Sequence, residues 1–233
     1  MKRRVMMGKN VGMPDDNTVF LLNFDKEPIH DMLGKSVSKE GSVIILSNGR
    51  FKSCGQFGNG VLLLDRSWYA NLISTGYFTI DFWIYPNERN ESLLFGCTQA
   101  GDSIRQCGAL FLYIYNGLGI TFHADNTSES FISTYTYPTL KKWSHIAVIC
   151  HNWNVMIFID GYLKGEGLLK SSILPSYSLR LGGQNRRDGD PLYSIKSKID
   201  EFRVSDIARW TSNFTPPTKP YVYCLLYTSD AAD

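Results

Sequence analysis

No stretch of the 233-residue chain approaches the ~18 consecutive apolar residues that a membrane span requires. The opening Met1-Lys2-Arg3-Arg4-Val5-Met6-Met7-Gly8-Lys9-Asn10 also lacks the ~7–15-residue apolar stretch of a secretory signal. The expectation is a chain that neither enters a membrane nor leaves the cell by the general route. An excess of one charge sign is missing too: 24 Lys and Arg stand against 22 Asp and Glu, a net charge of +2, with the signs interleaved. A nucleic-acid binder gathers its positive charge into a stripe. The local basic run of Lys2, Arg3, Arg4 and Lys9 reads as an N-terminal tail, so no nucleic-acid partner is expected.

Cysteine is scarce and dispersed. Cys54, Cys97, Cys107, Cys150 and Cys224 form no Cys-x-x-Cys pair and no Cys/His cluster with zinc spacing, which predicts reduced, partly buried thiols and no structural zinc. Nucleophile and phosphate motifs are absent as well: there is no Gly-x-Ser-x-Gly, no His-Glu-x-x-His and no phosphate-cradling glycine loop. Helix signals are weak, the best being one capped turn at Ser205-Asp206-Ile207-Ala208-Arg209-Trp210.

What the chain does have is aromatic, β-favouring sequence. Tyr and Phe number 13 each beside 5 Trp, with 43% hydrophobic and 20% charged residues, the balance of a folded protein with a core. Short apolar or alternating runs recur between turn residues, among them Thr18–Phe24, Ser42–Leu46, Val61–Leu64, Tyr77–Tyr85, Trp143–His151, Asn154–Asp160 and Lys198–Val204. That spacing predicts an all-β, two-sheet antiparallel sandwich. In Phe78–Tyr85 the period is two, which assigns Phe78, Ile80, Phe82 and Ile84 to the core face and Thr79, Asp81, Trp83 and Tyr85 to the other. Asn152-Trp153-Asn154 and Asp160-Gly161 predict tight turns in a meander. With one composition regime and no internal repeat, residues 15–222 read as one domain between a tail at 1–14 and a tail at 223–233. Cys224–Asp233 back-translates without mismatch onto a transposase sequencing adapter, and is expected to be read-through rather than natural sequence.

Four segments together resemble the laminin G-like, concanavalin A-like jelly-roll family, in the version common in bacteriophage and bacterial surface proteins. They are Thr18–Asp25, Phe78–Pro86, the pair Trp143–Val148 with Val155–Gly161, and Ile199–Pro217, whose "IDEFRVSDIARWTSNFTPP" is the most specific. The resemblance spans roughly residues 15–222 and implies two sheets packed face to face, with the first and last strands adjacent. It also implies a non-catalytic module for carbohydrate binding or surface recognition. The expected partners are a glycan or cell-surface polysaccharide, or other virion or surface proteins, with the virion as a setting. The alternatives are a decoration or protein-interaction domain without sugar binding and, third, a glycoside hydrolase. The Asp25–Asp31 segment departs from the family, being longer and more charged than its usual Gly/Asn-rich turn.

A hydrolase of this fold needs two carboxylates on one strand at even spacing, as in a Glu-x-Asp-x-x-Glu run, and none occurs. Asp200 and Glu201 are adjacent, so regular alternation points them to opposite faces, and Asp81 stands alone beside Trp83. The resemblance implies calcium at the sandwich edge, which takes several oxygen ligands. Asp25 with Asp200 is one candidate group and Asp188 with Asp190 another; backbone capping or salt-bridging with Arg203 is the alternative for the first, and a solvated turn for the second. For sugar stacking the candidates are Trp153 at a hairpin tip, Tyr135, Tyr137 and Tyr193, each of which also suits a ring covering the core.

Overall fold

The computed structural model describes residues 14–65, 74–89, 92–98, 111–115, 118–123, 131–169, 178–185, 191–192 and 194–221. In chain order they form β1 (Thr18–Leu22), β2 (Val37–Glu40), β3 (Val43–Leu46), β4 (Cys54–Phe57), β5 (Val61–Leu64), β6 (Tyr77–Pro86), β7 (Ser92–Thr98), β8 (Phe111–Tyr115) and β9 (Gly119–His123). There follow β10 (Phe131–Ser133), β11 (Ser144–His151), β12 (Asn154–Ile159), β13 (Tyr162–Leu168), β14 (Ser178–Leu181), β15 (Gln184–Asn185), β16 (Pro191–Leu192) and β17 (Ser197–Ser205). One sheet has the order β13-β12-β11-β6-β17-β4-β3, with β1 also paired to β17. The other has the order β10-β9-β8-β7-β14-β5-β2, and β15 with β16 makes a separate ribbon. Both sheets are antiparallel, giving the two-sheet sandwich that the strand spacing predicts.

The last strand lies in the middle of the larger sheet. One side of β17 pairs with β6; on the other, Lys198 and Ile199 pair with β4, and Phe202 to Ser205 pair with β1. β4 and β1 thus meet end to end, and first and last strands are neighbours as expected. Phe78, Ile80, Phe82 and Ile84 point between the sheets, joined there by Phe20, Phe202, Ile146, Val148 and Ile157. Each such side chain contributes about 1.5–3 kcal/mol by leaving water.

The opposite face of β6 is not a solvent face along its length. Thr79, Asp81 and Trp83 are buried as well, because the chain after β17 turns back across this face and the Arg50-Phe51 turn covers Trp83. Trp210 and Phe214 stack with ring centroids 4.0 Å apart and pack on Ala147, Ile149, Met156 and Phe158. The helical turn expected at Ser205–Trp210 does not form. Ser205 ends β17, and the segment bonds outward: Thr79 Oγ1 donates to the Ile207 carbonyl at 2.7 Å and accepts from the Arg209 amide at 3.0 Å. Those bonds hold the segment flat against β6 in place of an i to i−4 pattern.

The meander β11-β12-β13 forms as predicted. Asn152 and Trp153 (φ 50° and 65°) and Asp160 and Gly161 (φ 52° and 79°) supply the paired positive φ values of tight hairpins. Gly161 is also sterically required, since a Cβ there would strike the Phe214 carbonyl. Among the described residues no helix is long and apolar enough to cross a membrane.

Candidate functional site on the outer face of the larger sheet

Three acidic residues of β6 and β17, Asp81, Asp200 and Glu201, lie on the outer face, and all three are closed off. Asp81 accepts two bonds from Arg203, Nε to Oδ1 at 3.0 Å and Nη2 to Oδ2 at 2.9 Å, and a third from the Tyr221 hydroxyl at Oδ2. His145 Nε2 lies 3.3 Å from the same Oδ2 and 3.0 Å from Tyr221 Oη. Burial alone would raise the Asp81 pKa, but the Arg203 charge, with the hydrogen bonds from His145 and Arg203, holds it well below the usual carboxylate range. Burial, followed by the Asp81 charge, pushes the Tyr221 phenol well up. This is a satisfied ion pair under a lid formed by the C-terminal segment. The sequence offered Asp81 as a lone acid; the Arg203 contact was hidden by 122 residues of separation.

Asp200 and Glu201 correct the expectation of opposite faces. The β17 register shifts between Asp200 and Arg203, and Glu201 sits at φ 52°. This bulge turns both acids to the same side of the strand. Asp200 Oδ2 accepts from the backbone amides of Arg50 (2.8 Å) and Phe51 (3.2 Å), while Glu201 Oε2 accepts from the Tyr221 amide (2.9 Å). Burial pushes Asp200 up to about 7 and Glu201 up to about 8, only partly offset by these amides. Neither faces a groove: they are 1% and 3% exposed, beneath Phe51 and Tyr221 respectively.

Nor do Asp25 and Asp200 fit calcium. A hard cation needs several converging anionic oxygens. Here Asp25 pairs with Lys52 Nζ at 3.3 Å, Asp200 Oδ2 is occupied by amides, and no metal-ligating group of three or more acidic, His or Cys side chains exists among the described residues. Of the alternatives for this pair, backbone capping is what Asp200 does, through the Arg50 and Phe51 amides, whereas the salt bridge to Arg203 does not form, since Arg203 serves Asp81. Asp188 and Asp190 lie outside the described residues.

Beyond the lid, one end of the outer face stays open. The strand register sets up a row across β6, β17, β4 and β3 (Tyr85, Lys198, Gln56 and Ile44), and Trp143, the residue before β11, extends it beside Tyr85. Trp143 and Tyr85 meet edge to face at 5.7 Å, and Lys198 Nζ lies 4.7 Å from the Tyr85 ring centroid. All but Ile44, which is 49% exposed, are half-buried. Gln56 donates its amide to the Phe57 carbonyl at 2.9 Å, fixing the side chain. Strands 4.7–4.9 Å apart make the row about 19 Å long, the scale of an oligosaccharide or extended peptide. By contrast, the pocket of about 150 Å³ between Glu27, Pro28 and Lys39 is small against the roughly 300 Å³ at which ligand cavities begin.

The aromatic candidates from the sequence divide between two ends. Trp153 is half-buried, packed on the core with its indole over Gly76, at the far end of β6 from the row. Tyr137 is half-buried beside the row's end, with the Arg89 guanidinium 4.7 Å from its ring centroid. Tyr135, two residues earlier, is 73% exposed on a left-handed backbone (φ 53°). The structure does not bring Trp153 to the two tyrosines, and Tyr193 lies outside the described residues. Trp143 was missed because it sits in an apolar run, and Tyr85, though assigned to the face away from the core, had no visible partner there; only the structure reveals them as neighbours on the open face.

Residues 59–212 match the family model described as the concanavalin A-like lectin/glucanases superfamily. No curated protein matches the chain. Solved structures share the fold at low identity. Domain 4 of an extracellular arabinanase from Geobacillus stearothermophilus, in complex with arabinotriose, is 16% identical, with a TM-score of 0.59 over 86% of this chain and 95% of that one. The binding domain of botulinum neurotoxin DC in complex with SialylT is 18% identical, with a TM-score of 0.59 over 83% of this chain and 48% of that one. The same toxin's binding domain with rat synaptotagmin II is 16% identical, with a TM-score of 0.57 over 83% and 49%. The chain thus spans about half the length of the toxin chains it matches.

Proposed function

The chain belongs to the concanavalin A-like lectin/glucanases superfamily, and on that premise we propose that it is a non-catalytic module for carbohydrate binding or surface recognition. The observation that carries this reading is the open row led by Trp143 and Tyr85, set beside Asp81, Asp200 and Glu201, which are all buried and engaged. An aromatic face with neighbouring amide and ammonium donors suits a sugar, whose ring face stacks while its hydroxyls bond at the edges. A glycosidase needs an acid and a second carboxylate reaching the scissile bond, whereas Asp81, Asp200 and Glu201 lie under the lid and the Phe51 turn. The arabinotriose and SialylT complexes of fold relatives support a glycan partner. A place on a virion or bacterial surface belongs to the same proposal.

A shallow row buries little area, so the expected dissociation constant is on the order of 0.1–1 mM. Glycan-array binding with and without chelator, followed by product analysis, tests the reading. Trp143→Ala should abolish binding at unchanged melting temperature, and chelator should leave it unchanged. Release of reducing sugar, or silence across the array, would refute the non-catalytic glycan reading.

A second reading, a protein-interaction domain without sugar binding, is favoured by the edge strand β13. Tyr162 (62%), Leu163 (40%) and Leu168 (63%) are large apolar residues left exposed along it. Silence on the array would move the function there.

A further inference from the structure

Three cations at the open end of the larger sheet each lie over an aromatic ring. Lys198 covers Tyr85 at 4.7 Å, Arg50 covers Trp83 at 4.4 Å, and Arg89 covers Tyr137 at 4.7 Å. Among the described residues none of the three has a carboxylate partner. The neighbouring acids are spent: Glu88 pairs with Lys196 at 3.3 Å, Asp25 pairs with Lys52 at 3.3 Å, and Asp200 is buried on backbone amides. Elsewhere the chain pairs its cations readily, as Arg203 with Asp81 and Arg209 with Asp15 show. A cation resting on a ring face keeps its outward N–H donors available, and its place is fixed before any ligand arrives.

We infer that the row selects acidic oligosaccharides, those bearing sugar carboxylates or sulfates, over their neutral counterparts. The inference rests on the glycan-binding reading above and specifies its ligand class. Trp143 and the flank of Tyr85 supply the apolar face, and Gln56 a polar group for hydroxyls. Lys198 and Arg50, both on the outer face around β6, supply two anchors for oxyanions. Arg50 is held there from below, because its own amide and that of Phe51 donate to Asp200. Charge-assisted bonds from guanidinium to carboxylate or sulfate are roughly twice as strong as neutral ones, so the anchors dominate discrimination. Glu166 and Asp206 are exposed acids of the same sheet but belong to β13 and the lid, away from the row.

The test uses the full chain on an array of matched pairs: uronic-acid oligosaccharides and their methyl esters, and sulfated oligosaccharides and their desulfated forms, with oligo-dT as a non-sugar polyanion. The acidic members should bind at least ~10-fold more tightly than their neutral mates and weaken with added salt. K198Q combined with R50Q should bring the acidic members down to the level of the neutral ones at unchanged melting temperature. W143A should weaken both members of each pair. The uronic and sulfated arms separate the two sources of negative charge. Equal binding within pairs, or acidic binding untouched by the double substitution, would overturn the inference while leaving the glycan reading intact. Oligo-dT bound as tightly as the acidic sugars would overturn it in favour of charge alone, and silence on every sugar would overturn the glycan reading itself.

Discussion

The Arg203 guanidinium carbon lies 3.7 Å from the centroid of the Tyr221 ring, while both residues bond the same carboxylate of Asp81. The strand that closes the larger sheet and the segment that covers it are therefore fastened at one point. Removing the carboxylate strands a buried charge. Asp81→Ala should cost about 3–5 kcal/mol, and Tyr221→Phe, which deletes one bond to a charged group, about 1.5–3 kcal/mol. Urea unfolding measures both. Because the two residues share a network, the double variant should lose less than the sum; strict additivity would mean that the contact carries no coupling.

Stability should fall as pH rises through neutrality. Asp200 and Glu201 have folded pKa values raised to about 7 and about 8, above ordinary values of 3.8 and 4.5. Their contribution is complete below the ordinary values and is lost as pH climbs through the raised ones. Asp81 has the opposite sign: its pKa is depressed, so its contribution is present above 3.8 and lost on acidification. The optimum should therefore lie on the acid side of neutral. Combining Asp200→Asn with Glu201→Gln keeps the acceptors and should flatten the fall between pH 6 and 8.5, recovering on the order of 1–3 kcal/mol at the alkaline end. Melting temperatures that are level across that range in the unsubstituted protein would disprove the assignment.

Gly161→Ala should destabilise by more than about 1 kcal/mol, because the site combines a φ of 79° with contact against the Phe214 carbonyl. The damage should reach the lid. Native-state hydrogen exchange should show faster exchange at the Phe214 amide, which donates to the Gly161 carbonyl, with the amides of β9 unchanged.

Cys54 and Cys150 are free, fully buried, and have pKa values pushed up to about 11, chiefly by burial. A thiol needs its thiolate form to react. A disulfide-exchange reagent should leave both untouched in the folded protein and label both in denaturant; labelling without unfolding would show that the core opens locally. Cys107 lies outside the described residues, as does the side chain of Cys97, so the reduced state expected of them is a matter for the same labelling.

The sandwich and the β11-β12-β13 meander were legible because period-two runs and turn residues are local signals, whereas the adjacency of first and last strands came from the family resemblance. The inward set on β6 was legible from the same local signals. What covers the outward set was not legible, since nothing in Thr79-Ile80-Asp81-Phe82-Trp83 announces that residues 206–221 will lie over it. Asp200 and Glu201 escaped because a bulge adds one residue and breaks alternation. Trp153 looked like an exposed tip until Gly76 proved to make room for its ring. The open row needs the registers of β6, β17, β4 and β3 together, and long-range register is not written in any one segment.

Because β17 occupies the centre of its sheet yet is made last, synthesis order matters. On the ribosome β6 emerges early, gains β11 as one neighbour, and waits with its other edge bare until Ser197–Ser205 appears. β1 and β4 wait for the same partner. Contacts of such long sequence separation slow folding, and a bare edge in the interim invites pairing with another chain. The nascent protein should thus lean on chaperones until its closing strand is released, and ribosomes stalled before Ser197 should carry a protease-sensitive chain.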